Sequence, residues 1–131
     1  MIVDTSVLIA ISRREPDAGS FTDAIDSAEH VRISAANLFE AFIVVDRVAD
    51  RTIPRRFDDL CRKIGFDVVP FDEHQARIAR EAYRDFGKGS GHPAKLNFGD
   101  CFAYALAKAS DEPLLYKGTD FSHTDVASAL G

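Results

Sequence analysis

The apolar positions of this chain change period again and again. A two-residue run, Ile2-Val3, stops at Asp4, and a nearly all-apolar stretch from Val7 to Ser12 follows. The first reads as a minimal strand. The second reads as a short helix with Asp4, Thr5 or Ser6 as its cap. Arg13 to Asp17 is a polar break. From Asp17 to Glu29, Phe21, Ala24, Ile25 and Ala28 recur at the spacing of an amphipathic helix. Val31-Arg32-Ile33 alternates and predicts a second strand. Ser34 or Asn37 then opens a helix from Ala35 to Val48, apolar around most of its circumference and therefore expected to be largely buried. A helix of about Pro54 to Ile64 ends at Gly65. Phe66 to Phe71 predicts a third strand, and Asp72 caps a long helix from Glu73 to Phe86. Gly87 to Pro93 is glycine-rich and expected to be a flexible loop. A very apolar helix begins at Asn97 or Phe98 and runs through Ala109. Leu114-Leu115-Tyr116 predicts a fourth strand, and Val126 to Leu130 a short last one.

Strands alternating with helices predict an α/β fold, a parallel sheet covered on both faces. At 131 residues the chain is expected to form one domain, 1–131. No segment approaches the ~20 apolar residues that span a bilayer. The apolar N-terminus lacks a basic flank and is interrupted by Asp4, so it reads as a strand rather than a signal peptide. A cytoplasmic protein without a membrane role is expected. Cys61 and Cys101 are too few for a disulfide framework and lack metal-ligand spacing.

The net charge of −5 argues against a nucleic-acid partner. That objection weakens if some of the 21 acidic residues surround divalent cations. It weakens further because bases cluster, at Arg51, Arg55, Arg56, Arg62 and Lys63 and again at Lys88, His92 and Lys95. A solvated helix face is the simpler reading of the first group.

Four acids stand out against their surroundings. Glu40 interrupts the apolar 35–48 helix, and Asp100 lies in the first turn of the apolar 98–109 helix. Asp4 and Asp120 follow strands. Taken singly, Glu40 reads as a partly exposed acid and Asp100 as a dipole-stabilising one, Asp120 as a cap, and Asp4 equally as cap or ligand. Together they read differently. In a parallel sheet all strand C-termini share one edge, and helix N-termini meet it. Two carboxylates ~4 Å apart repel by ~1–4 kcal/mol across effective dielectric constants of 80 to 20. A divalent cation reverses that sign. An all-oxygen ligand set suits Mg²⁺ or Mn²⁺ better than Zn²⁺. One or two such ions would activate water against a phosphodiester. Ser6 is equally a plain cap or a polar companion that orients a carboxylate. The glycine-rich 87–91 stretch lacks the order of a phosphate-binding P-loop, the four histidines are dispersed, and no serine sits in a nucleophile elbow.

The chain resembles the PIN-domain ribonucleases, and among them the VapC toxins of type II (VapBC) toxin–antitoxin pairs. The residues carrying the resemblance are Ile2-Val3-Asp4-Thr5-Ser6-Val7-Leu8, Glu40 within Asn37-Leu38-Phe39-Glu40-Ala41, Leu96-Asn97-Phe98-Gly99-Asp100-Cys101, and Leu114 to Phe121. The resemblance implies a three-layer PIN-like fold with about five parallel strands and helices on both faces. It implies an Mg²⁺- or Mn²⁺-dependent endoribonuclease that hydrolyses RNA by a metal-activated water and leaves a 5′-phosphate. It also implies a homodimer and a cognate VapB-like antitoxin. Asp4 and Asp100 are then the principal metal ligands, Glu40 and Asp120 the supporting acids, and Ser6 the polar companion. Many relatives have an acidic or amide residue where this chain has Thr119, which leaves binding of a second metal open.

Two rival readings accompany this one. A non-catalytic, receiver-like binding domain would also use acids at strand ends with a lysine, here Lys117. It needs an acidic pair after the first strand and an Asp after the third, and the chain has neither. A nuclease of the same fold acting on DNA is the other.

Overall fold

The computed structural model describes all residues, 1–131. Its element order is β1 (Ile2–Val3), α1 (Thr5–Ser12), α2 (Ala18–Ser27), β2 (Arg32–Ser34), α3 (Ala35–Arg47), α4 (Thr52–Ile64), β3 (Asp67–Val69), α5 (Glu73–Phe86), α6 (Phe98–Ser110) and β4 (Leu114–Leu115), then a 3₁₀ turn at Phe121–His123. The sheet runs β3-β2-β1-β4, with every pair parallel. Four strands form rather than about five. The expected strand at Val126–Leu130 shrinks to a single bridge between Leu114 and Ser128.

The strands are very short, yet their alternation defines three layers. Ile2 and Leu114 point into a core shared with Leu96, Tyr104 and Leu106. Val3 and Leu115, one residue on, point into the opposite core with Val7, Leu8, Ile33 and Phe57. Adjacent strand residues face opposite sides, so two residues per strand suffice to seed two cores. No helix is long and apolar enough to cross a membrane.

Helix boundaries follow their caps. Asp4 caps α1 by accepting from Ser6 N, Ser34 caps α3 through Ala36 N, and Asp72 caps α5 through Gln75 N. Gly65 ends α4 in the left-handed region at φ 59°, which glycine enters without a Cβ penalty.

A further expectation needs correction. The α3 helix is not largely buried: Ala41 and Val45 face the core, while Phe39, Phe42, Ile43 and Val44 are exposed. Its apolar circumference exceeds what one neighbouring layer covers. The 87–93 loop makes its own set of contacts. Lys88 N donates to Leu96 O and Leu96 N to Phe86 O, at 2.8 and 2.9 Å. Ser90 Oγ donates to Gly87 O at 2.6 Å, and His92 packs edge-on against Phe86.

Candidate active site

The chain fills β1, then β2 and β3 on one side, and returns to place β4 on the other side of β1. The crevice at such a reversal, beyond the strand C-termini, is where open α/β sheets bind ligands. Asp4 leaves β1 at that edge, and its N–H donates to Leu115 O of β4 at 2.9 Å. The segment after β4 then carries Lys117 and Asp120 past it.

Asp4 is 5% exposed. Its Oδ2 accepts from Ser6 N at 3.1 Å and from Ser6 Oγ at 2.6 Å. Ser6 Oγ in turn accepts from Lys117 N at 3.0 Å. The Ser6 hydroxyl proton is therefore committed to Asp4, and one Asp4 oxygen is held by protein donors. The other has no protein donor. Burial pushes the Asp4 carboxyl up to about 7; the Ser6 hydrogen bonds oppose the rise, and the Asp100 and Glu40 carboxylates add to it.

Asp100 sits in the first turn of α6 and completes a capping box with Asn97. Asp100 N donates to Asn97 Oδ1 at 2.9 Å, and Asn97 N donates to Asp100 Oδ2 at 3.0 Å. Burial raises its carboxyl above the usual range, the Asn97 hydrogen bond lowers it, and Asp120 and Glu40 raise it further. Glu40 accepts from Asn37 Nδ2 at 3.3 Å and lies against Gly99. Asp120 is exposed and stands at the cap position of the 3₁₀ turn, but its side chain makes no cap hydrogen bond.

The four acids singled out from sequence are thus electrostatic neighbours. Asp4 senses Asp100 and Glu40, and Asp100 senses Glu40 and Asp120. The donor set is all oxygen, which fits a hard divalent cation. No three carboxylate, imidazole or thiol groups gather tightly enough to ligate one ion directly. The arrangement suits Mg²⁺, which accepts one or two carboxylates and keeps waters, and does not suit a closed protein cage.

Three further residues were not singled out for the site from sequence. Asn37 is fully buried and bonds both Glu40 and the Gly99 carbonyl. Gly99 gives the Glu40 carboxylate its space. Lys117 holds Ser6 by its backbone and pairs with Glu15 and Asp17 at 2.9 and 3.0 Å. Asn37 carried one signal, a polar residue one turn before Glu40 on an apolar helix. A backbone donor and an empty Cβ position leave no such mark.

The molecule's largest cleft, about 430 Å³, lies at the opposite sheet edge beside His30, Gly65 and Asp67. It holds none of the four acids. The basic groups are mostly solvated: Arg51, Arg55, Arg62 and Lys63 are exposed, Arg62 pairs with Asp59, and Lys88 and Lys95 are exposed in their loop.

The PIN domain family profile matches residues 1–127. The VapC ribonuclease Mb0625 of Mycobacterium bovis is 55% identical over 130 residues, 99% of this chain and 98% of that protein. Among solved structures, Mycobacterium tuberculosis VapC20, a toxin that cleaves the sarcin–ricin loop, superposes with a TM-score of 0.74 at 16% identity, covering 96% of this chain and 95% of that one. VapBC2 from Rickettsia felis, bound to a DNA fragment of its promoter, gives 0.74 at 13% identity and covers 97% and 94%. Those two structures share the fold, and the receiver-like alternative falls to the sequence match. Between the profile that spans nearly the whole chain and the full-length relative at 55% identity, the chain belongs to the PIN-domain family and, within it, to the VapC ribonucleases.

Proposed function

We propose that this VapC ribonuclease is an Mg²⁺- or Mn²⁺-dependent endoribonuclease toxin whose site is Asp4, Glu40, Asp100, Asp120 and Ser6. The observation that supports the assignment best is Asp4, 5% exposed, with one oxygen held by Ser6 and the Asp100 and Glu40 carboxylates as neighbours. A buried acid beside two further acids is poorly stabilised unless a cation joins it.

Asp4 and Asp100 would hold the cation, each with one oxygen engaged by protein donors and one left to it. The chemistry a divalent cation supplies there is neutralisation of phosphate charge and acidification of water. Ser6 keeps Asp4 oriented by donating its hydroxyl proton to Oδ2. Glu40 and Asp120 would complete the acidic wall and could accept a proton from water there. Asp120 is the freest of the four, since neither cap nor burial engages it. In-line attack of water on phosphorus would break the P–O3′ bond, leaving a 5′-phosphate on one fragment and a protonated 3′-hydroxyl on the other.

RNA is the substrate in this reading, as it is for the relatives named as ribonucleases. The partners are a VapB-like antitoxin, as in the structural neighbours solved as toxin–antitoxin complexes, and a second copy of the chain. The second copy would cover the exposed apolar face of α3 and the start of α6, where Phe39 and Phe98 are 64% and 78% exposed.

Asp4→Ala and Asp100→Ala should each reduce RNA cleavage by at least about 100-fold with circular dichroism unchanged. EDTA should abolish wild-type cleavage, and Mg²⁺ or Mn²⁺ should restore it. Full activity in either variant, or in EDTA, would sink the assignment. Matched RNA and DNA strands digested side by side decide between the RNA reading and a DNA-directed nuclease.

A further inference from the structure

Asn37 is 0% exposed, and its side-chain oxygen has no hydrogen-bond partner. A buried amide left half-satisfied costs stability, and an apolar residue of similar size would fill the space without that cost. The rest of its bonding gives a reason for it. Nδ2 donates to the Gly99 carbonyl at 2.9 Å and to Glu40 Oε1 at 3.3 Å. The Asn37 backbone carbonyl accepts from Thr5 Oγ1 at 2.9 Å. Thr5 follows Asp4, Gly99 precedes Asp100, and Glu40 is one helical turn from Asn37 on the same face. One buried residue therefore ties together the elements that carry three of the four acids.

Gly99 is the other half of the arrangement. A Cβ at that position would fall 2.0 Å from Glu40 Oε2 and 2.9 Å from Oε1. The Glu40 carboxylate occupies the space a side chain would take. Any residue larger than glycine displaces the flexible end of Glu40 and leaves Asn37 intact.

We propose that Asn37 is a positioning residue that sets Glu40 against the Gly99–Asp100 start of α6, with Gly99 as the seat for that carboxylate; this rests on the four-acid site proposed above. Outer-shell partners of this kind typically change metal affinity 10- to 100-fold when removed.

The test measures Mn²⁺ binding by electron paramagnetic resonance, with no nucleic acid present, alongside thermal unfolding. Asp4→Asn and Asp100→Asn first establish the parent site by losing Mn²⁺. Asn37→Ser should then bind Mn²⁺ at least about 10-fold more weakly than wild type. Gly99→Ala should weaken it similarly while keeping or raising the melting temperature, because alanine favours a helix over glycine. Stability and affinity moving apart is a signature that a merely structural role does not produce. Gln75→Ala is the control. Gln75 is a buried amide of α5 whose side chain donates to the Pro70 carbonyl just before the helix and reaches none of the four acids. It should lower the melting temperature and leave Mn²⁺ affinity alone. If Asn37→Ser fails to fold, Gly99→Ala decides. Wild-type affinity in Gly99→Ala, or in a folded Asn37→Ser, overturns the role of Asn37 while the acid site stands. Wild-type affinity in Asp4→Asn and Asp100→Asn overturns both.

Discussion

Asp4 combines two roles that appear exclusive in a sequence and are not. Its Oδ2 caps α1, and its other oxygen has no protein donor. The Ser6 hydrogen bonds pull the carboxyl down, but burial outweighs them and pushes it up to about 7. The unfolded carboxyl titrates near 3.9. Between those values the folded chain holds more protons than the unfolded one, so this group's contribution to stability falls as pH rises from about 4 to about 7. The cost at pH 8 without metal is roughly 2–4 kcal/mol. Asp4→Asn should therefore raise the melting temperature in EDTA at pH 8 by about 5 °C or more, with the gain shrinking towards pH 5. Adding Mg²⁺ at pH 8 should stabilise the wild type and not the variant. A variant less stable than wild type in EDTA at pH 8 would contradict this account. The four acids were legible in the sequence because carboxylates at strand ends and on apolar helices are chemically conspicuous. Asn37 was legible only as a candidate helix cap and as a polar residue one turn before Glu40, because the contact that defines it, to Gly99, joins positions far apart in the chain.

Helix caps show the same overlap of structure and site at the scale of elements. Ser34 and Asn97 cap α3 and α6 by the same physics, each accepting a backbone N–H in the first turn. Each is expected to contribute about 1 kcal/mol. Ser34→Ala and Asn97→Ala should lose similar stability in urea unfolding. Only Asn97→Ala should also slow RNA cleavage, because Asn97 holds the turn that carries Asp100. Equal cleavage by the two variants would separate the cap from the site. Most elements were readable because periodicity and caps agree, as with Asp72 and α5 or Gly65 and the end of α4. The last strand was misread because Val126 to Leu130 is a short, mostly apolar run like a strand yet pairs through one residue only. Pairing depends on a neighbour that local sequence does not specify. The apolar pattern of α3 likewise showed what the helix offers to neighbours but not how much of it they cover.

The whole molecule leaves one surface at odds with a solitary chain. Isolated exposed apolar residues are ordinary, and a contiguous patch is not. Phe39, Ile43 and Val44 of α3 and Phe98 and Phe102 of α6 line a groove of about 310 Å³. Glu40 and Gly99 lie on its wall, so the patch adjoins the acid site. Its apolar face offers nothing to a charged partner. A second copy would present the same face, and a two-fold axis would set each patch on its twin. The overall charge of −5 would oppose pairing elsewhere on the surface, but it is screened beyond ~10 Å at 0.1 M salt. Phe98 is 78% exposed, so a charge there should cost the monomer little. In the dimer it would bury an unpaired carboxylate, which interfaces do not tolerate. Phe98→Glu should therefore shift the protein from dimer to monomer in sedimentation equilibrium at micromolar concentration. Its circular dichroism should not change. Phe39→Glu should do the same from the other helix. A wild-type monomer, or a Phe98→Glu variant that stays dimeric, would show that this face does not join two copies.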